Sequence, residues 1–189
     1  GMLGVAVSTA VPGVGGICPF VEPGVGAIST QSWVNPYLGI DGLNLLKGGK
    51  TAQQALDILM KEDPGRDVRQ IGIVDAAGRS AAWSGQSCTA WFGHVTGPDF
   101  SVQGNMLVGE ATISAMASAF EASAPLGLPE RLVLVLEAGQ KAGGDKRGRQ
   151  SAALLVYKTE AYPYLSLRVD EHAYPVAELR RVFEVARQQ

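Results

Sequence analysis

Cysteine and histidine are scarce in this sequence, with two of each in 189 residues. Cys18 and Cys88 make no disulfide framework, so a reduced, cytoplasmic protein is expected, and sequence leaves a single bridge between them open. His94 and His172 lie far apart, with no cysteine or histidine at ligand spacing, so neither a metal nor a cofactor is expected. Charge is thin as well: 18% of residues, against an ordinary quarter or so. Sixteen basic and eighteen acidic side chains give a net charge of −2, which excludes a strongly basic nucleic-acid binder. No stretch approaches the roughly 18 apolar residues of a membrane span, and the most apolar run, Leu132 to Leu136, is short. The start lacks a basic region followed by an apolar core, so no secretion signal is read.

Apolar residues are plentiful, at 46%, enough for one core and one domain over residues 1–189. Low charge with many apolar residues also points to a homo-oligomer. Glycine is abundant, with 24 residues and no Gly-X-Y period, so glycines are expected at tight turns or close backbone approaches.

Residues 3–9 and 25–30 read as strands, and 12–16 as a loop. Asn35 before Pro36 is biased away from helix, so the segment around Trp33 to Tyr37 reads as irregular, with a short helix over 41–46. Thr51 and Gln54 match a capping box opening a helix whose apolar face is Ala55, Leu56, Leu59 and Met60. Residues 70–75 and 79–84 form a hairpin around Gly78, and 100–108 read as one or two strands broken at Gly104-Asn105. Helices follow over 110–122 and 129–142, strands over 152–158 and 164–169, and a final helix over 175–187. Strands and helices come in blocks, which predicts an α+β fold with antiparallel sheets covered by helices.

Three clusters could carry chemistry. The first, Ala142 to Ser151, lies between a helix and a strand; Asp145 and Arg147 can orient one another, and Gln150 and Ser151 add an amide and a candidate nucleophile. The bland alternative is a glycine cap and a solvated turn. The second, Ser29 to Pro36, places Thr30, Gln31 and Ser32 at a strand end, where the alternative is ordinary turn capping. The third is Gln103-Gly104-Asn105, a bulge whose Asn105 amide could stabilise an oxyanion. No Gly-x-Ser-x-Gly elbow or Walker loop is present.

Taken together, Thr30-Gln-Ser-Trp-Val-Asn-Pro36, Gln103-Gly-Asn105 and the stretch from Gly143 through Asp145, Arg147, Gln150 and Ser151 resemble a bacterial family known as domain of unknown function 1028. Leu3-Gly-Val-Ala-Val7, Arg69-Gln70-x-Gly72, Gly93-His94 and Arg168-Val-Asp170-x-His172 extend the likeness along the chain. The resemblance implies a fold like that of the N-terminal-nucleophile hydrolases, a four-layer αββα sandwich of two antiparallel sheets between helix layers. There a leading Ser, Thr or Cys attacks an amide carbonyl with its own α-amine as base. This sequence departs from the pattern at Gly1, Met2 and Leu3, ahead of which the family usually has a further strand. The function so implied is hydrolysis of a small amide or peptide-like substrate. Ser32, Asn105, Asp145 and Ser151 would serve catalysis, and Thr30, Gln31, Arg147 and Gln150 would bind substrate. The alternative is a non-catalytic ligand-binding or assembly protein that keeps the fold without the nucleophile.

Overall fold

The structure, a computed structural model, describes residues 1–188. Strand β1 (Leu3–Thr9) pairs antiparallel with β8 (Ser151–Tyr157), and β8 with β9 (Leu165–Val169), in a three-stranded sheet of order β1-β8-β9. A four-stranded sheet has the order β2 (Pro19–Glu22), β3 (Gly26–Ser32), β4 (Arg69–Asp75), β5 (Ser80–Ser84). A separate hairpin joins β6 (Gly93–Gly97) to β7 (Phe100–Gly104). The helices are α1 (Tyr37–Lys47), α2 (Ala52–Glu62), α3 (Glu110–Ala122), α4 (Leu128–Lys141) and α5 (Pro175–Ala186). All strand pairs are antiparallel, as the α+β reading requires.

Period-two alternation organises the four-stranded sheet. Ile28, Ile71 and Ile73 turn to one face, where α1 and α2 bury them with Leu38, Leu56 and Leu59. Leu154, Val156 and Val169 meet Val133, Leu136, Leu179 and Phe183 of α4 and α5 in a second core. Val5 of β1 touches Val21 and Ala27 of the other sheet, so the two sheets face one another. The opposite face of β4 carries Gln70, Gly72 and Val74, and there the β6–β7 hairpin crosses. Gly72 permits that crossing: a Cβ at this position would collide with the Gln103 amide oxygen and the Ser101 hydroxyl.

The capping box forms as expected: Thr51 Oγ1 accepts from Gln54 N at 3.2 Å, and Gln54 Oε1 from Thr51 N at 3.0 Å. Three expectations need correction. Helix α1 starts at Tyr37, not Asp41, because Pro36 sits at the N-cap with helical φ and Asn35 Oδ1 accepts from Tyr37 N. Strands β2 and β6 were not expected; both are short and bounded by turn residues. The strand from Phe100 ends at Gly104, since Met106 takes a left-handed backbone, φ 54°, which breaks the extension.

Asp75 ties this half together. Its carboxylate accepts from Ala52 N at the start of α2 (3.1 Å), from Ala77 N (3.0 Å) and Arg79 N (3.1 Å) in the hairpin turn, and from Arg79 Nε (2.7 Å). Burial pushes its pKa up, but the bonds from Ala52, Arg79 and Ala77 outweigh that and hold it below the ordinary carboxylate value. A group depressed in the folded state contributes stability above its unfolded pKa, about 3.9, and loses it as pH falls through the folded value. Urea denaturation should therefore show stability dropping below about pH 4. Asp75→Asn should be less stable than wild type at pH 7 and show a shallower loss in acid; an unaltered acid slope would exclude Asp75 as its source.

Candidate functional site

One cavity of about 620 Å³ opens between the two sheets. Every residue from Gly1 to Thr9 along β1 lines it, as does every residue from Phe100 to Leu107. Its floor is the inward face of the four-stranded sheet, with Ala27, Ser29, Gln31, Gly72 and Val74. Helices α3 and α4 roof it with Thr112, Arg131 and a run of apolar side chains. The size is that of an ordinary small-molecule site, about 300–1,000 Å³.

The wall at Asn105 is held by Gln70, a fully buried side chain. Gln70 Oε1 accepts from Asn105 Nδ2 at 3.1 Å, and the two hydrogens of its Nε2 are shared among Ser84 Oγ (2.7 Å), Gly104 O (2.9 Å) and Gly93 O (3.2 Å). One amide thus bolts β4 and β5 to both strands of the hairpin. Because Ser84 Oγ accepts from Gln70, its own hydrogen is free to go to His94 Nδ1, 2.9 Å away. Although His94 is exposed by surface area, the protein packed beside its ring desolvates it in part and pulls its pKa down, in keeping with a neutral ring that accepts at Nδ1. His94 itself lies outside the cavity lining.

At the same end, the glycine-rich loop after α4 is fastened to the segment following β7. Val108 N donates to Gly144 O (3.0 Å), Lys146 N to Met106 O (2.8 Å), and Leu107 bridges Asp145. Gly143, Gly144 and Gly148 all have positive φ, the role expected of glycine there. Asp145 Oδ1 accepts from Arg147 N (2.9 Å) and Nε (3.0 Å), and Oδ2 from Nη2 (2.5 Å). The hydrogen bond to Asp145 raises the Arg147 pKa, so the guanidinium stays charged against the carboxylate. Two donors of the fork are taken, and the rest remain for a ligand.

Gln31, Ser32, Asn105, Asp145 and Arg147 therefore share one cavity. Thr30, Gln150 and Ser151 lie outside its lining. Thr30 neighbours Gln31 on a strand and points to the other face, where its hydroxyl donates to Ile17 O at 3.4 Å. Ser151 is fully buried; its Oγ donates to Val11 O (2.6 Å) and accepts from Val14 N (3.2 Å), a structural clasp that leaves no room for attack on a substrate. Gln150 joins the framework through its backbone, donating from N to Thr9 O at 2.8 Å. Ser32 holds a left-handed backbone, φ 68°, uncommon for a residue other than glycine. Cys18 also lines the cavity, but burial pushes its thiol up to about 12, so it is protonated and unreactive at neutral pH. Cys18 and Cys88 are free thiols.

Three buried side-chain atoms lack a hydrogen-bond partner among the described residues: Gln31 Oε1, Thr112 Oγ1 and Arg131 Nε. All three residues line this cavity. Buried polar groups ordinarily have a partner, so three such atoms on one lining set this region apart from the rest of the core. Sequence reasoning missed Gln70, Thr112 and Arg131. Gln70 carried a signal, an amide at the head of the apolar run Ile71 to Val74. No group of three metal-ligating side chains occurs among the described residues, and no helix there is long and apolar enough to cross a membrane.

The family of unknown function DUF1028 matches residues 1–179. A crystal structure of a DUF1028 protein from Silicibacter pomeroyi superposes with a TM-score of 0.90 at 30% identity, covering 98% of this chain and 83% of that one. No curated protein matches the chain.

The bolt at Gln70 should be costly to remove. Gln70→Leu strands two carbonyls and the Asn105 amide, each worth about 1–3 kcal/mol if left unsatisfied. A loss of at least about 2 kcal/mol by urea denaturation is expected, with faster amide exchange in residues 93–105; a change within about 0.5 kcal/mol would show that the hairpin is held by other contacts.

Proposed function

This chain belongs to the DUF1028 family, and from that footing we propose that it binds a small amide- or peptide-like ligand in the cavity between its sheets. The observation that carries the reading is the set of unpartnered buried atoms. Gln31 Oε1 is an acceptor in want of an N–H, while Asn105 Nδ2 has a second hydrogen to give after Gln70 takes the first. One acceptor and one donor are what an amide group requires. Near one end, the Asp145–Arg147 pair offers further N–H donors without a net charge. It therefore suits a carbonyl or a zwitterion better than a dianion.

Hydrolysis of that amide is the second reading, favoured by Ser32. Its hydroxyl is at the cavity wall on a backbone held at φ 68°, the kind of local strain that clusters at functional positions. Asn105 would then donate to the oxyanion, and Asp145 would set the Arg147 guanidinium. The likeness of the family to N-terminal-nucleophile hydrolases is the ground for taking an amide as the scissile bond. Among the described residues no basic side chain is hydrogen-bonded to the Ser32 hydroxyl, so binding stands first.

Calorimetry with N-acetyl amino acids and their amides tests both readings. Saturable binding is expected, weakened roughly tenfold or more by Asn105→Ala and by Gln31→Leu, as loss of a hydrogen bond worth about 1.5 kcal/mol requires. Arg147→Ala should abolish binding of probes with a free carboxylate while leaving the fold intact. Unchanged affinity in all three variants would remove the cavity from consideration, and turnover that survives Ser32→Ala would remove the hydrolytic role of Ser32.

A further inference from the structure

The sequence carries ten arginines. Among the described residues, nine of them donate from the side chain to a fixed acceptor: Arg66 and Arg131 to backbone carbonyls, and the other seven to Asp or Glu. Arg149 alone has neither kind of partner. Its guanidinium is held all the same, with Cζ 4.6 Å from the centroid of the Tyr174 ring, within reach of a cation–π contact. The backbone under that ring is tied in turn. Tyr174 N donates to His172 Nδ1 (2.9 Å), His172 N to Gln150 O (2.9 Å), and Gln150 N to Thr9 O (2.8 Å). An exposed arginine ordinarily moves freely in water; this one is seated on a ring with its N–H donors unspent.

Arg149 lines the cavity, as does Arg147 two residues before it. Two residues of chain span at most about 7 Å, so both forks serve the same end. Loops wall that end. Lys146 N donates to Met106 O and Val108 N to Gly144 O, which holds the arginine loop against the segment that bears Asn105. Charge there does not balance: Asp145 offsets Arg147, and Arg149 adds a positive charge that no carboxylate pairs among the described residues.

From this we infer that Arg149, with the free donors of Arg147, is a carboxylate clamp, and that the ligand is an N-acylated amino acid, an amide with one free carboxylate. The inference rests on the reading of this cavity as the amide site and names the class of ligand. A guanidinium fork matches the two oxygens of a carboxylate in bidentate geometry. One surplus positive charge is satisfied by a monoanion, whereas a phosphate dianion would bring a charge with no counterpart. In an N-acyl amino acid a single carbon separates the amide nitrogen from the carboxylate, and here Asn105 and the arginine loop are adjoining walls. Tyr174 is a positioning residue: it touches Arg149 and keeps the fork in place.

Calorimetry on the full chain compares each N-acetyl amino acid with its own carboxamide, a probe of the same shape without the charge. Wild-type protein should bind the acid at least about tenfold more tightly than the amide. Arg149→Gln should bring that ratio to about one while the affinity for the amide stays as it was; the residue is exposed, so the fold survives the change. Tyr174→Leu should lower the ratio about threefold or more with the amide again unaffected, a split that a merely structural role for the ring would not give. A ratio that Arg149→Gln leaves unaltered overturns the clamp, as does displacement of the acid by inorganic phosphate at a lower concentration than by acetate. Amide binding with no preference for the acid in wild type overturns the clamp alone. Failure of both probes to bind overturns the reading of the cavity as an amide site with it.

Discussion

The side-chain amide of Gln70 is the contact on which the rest of the molecule depends. The β6–β7 hairpin shares no backbone ladder with either sheet, so nothing in regular secondary structure fixes where it sits. Gln70 fixes it by presenting one acceptor and two donors to Asn105, Gly104, Gly93 and Ser84. Gly72, two residues on along the same face, lets the hairpin come close enough for those bonds to form. With the hairpin placed, β7 stands apart from β1 and the space between them becomes a cavity. A buried amide with every partner in place specifies one arrangement, because any shift leaves several groups unpaired at once.

The cavity combines apolar walls with a few fixed polar groups, and its one ion pair is internally balanced. Asp145 is held by backbone and side chain of Arg147, so that pair presents oriented donors without a net charge, while Arg131 and Arg149 add guanidinium groups that no carboxylate pairs among the described residues. A carboxylate on a ligand therefore meets cationic donors there as well as neutral ones. The fixed amide and hydroxyl groups suit hydrogen-bonding chemistry of the kind a peptide group has.

Much of this was legible in the sequence, and the misses have physical causes. The capping box at Thr51, the Pro-led α5 and the apolar β4 follow local rules that tertiary packing reinforced. Strands β2 and β6 escaped because their pairing depends on partners, not on their own alternation: His94, Val95 and Thr96 are all exposed. In the site, the three clusters did converge, but neighbouring side chains of an extended strand alternate between faces, and Ser32 joins Gln31 at the cavity where its backbone leaves the extended form at φ 68°. Gln31 enters the cavity and Thr30 cannot, a consequence of period two that the sequence already implied. The burial of Ser151 was not legible, since its partners Val11 and Val14 lie some 140 and 137 positions away. Arg131 and Thr112 looked like ordinary helix residues, and only the packing of α3 and α4 over the cavity gives them a distinct place.

The two sheets differ in how far along the chain their strands must travel to meet. The four-stranded sheet and its helices are drawn from residues 19–84, with successive strands paired to their neighbours. The three-stranded sheet instead joins Leu3 to Tyr157 and Thr9 to Ser151. Closing so long a loop carries an entropic cost before any contact repays it, whereas the local sheet closes cheaply. Assembly should therefore begin in the first half of the chain, with β1 held unpaired until β8 has been made. The strand that borders the cavity is thus among the last to be fixed.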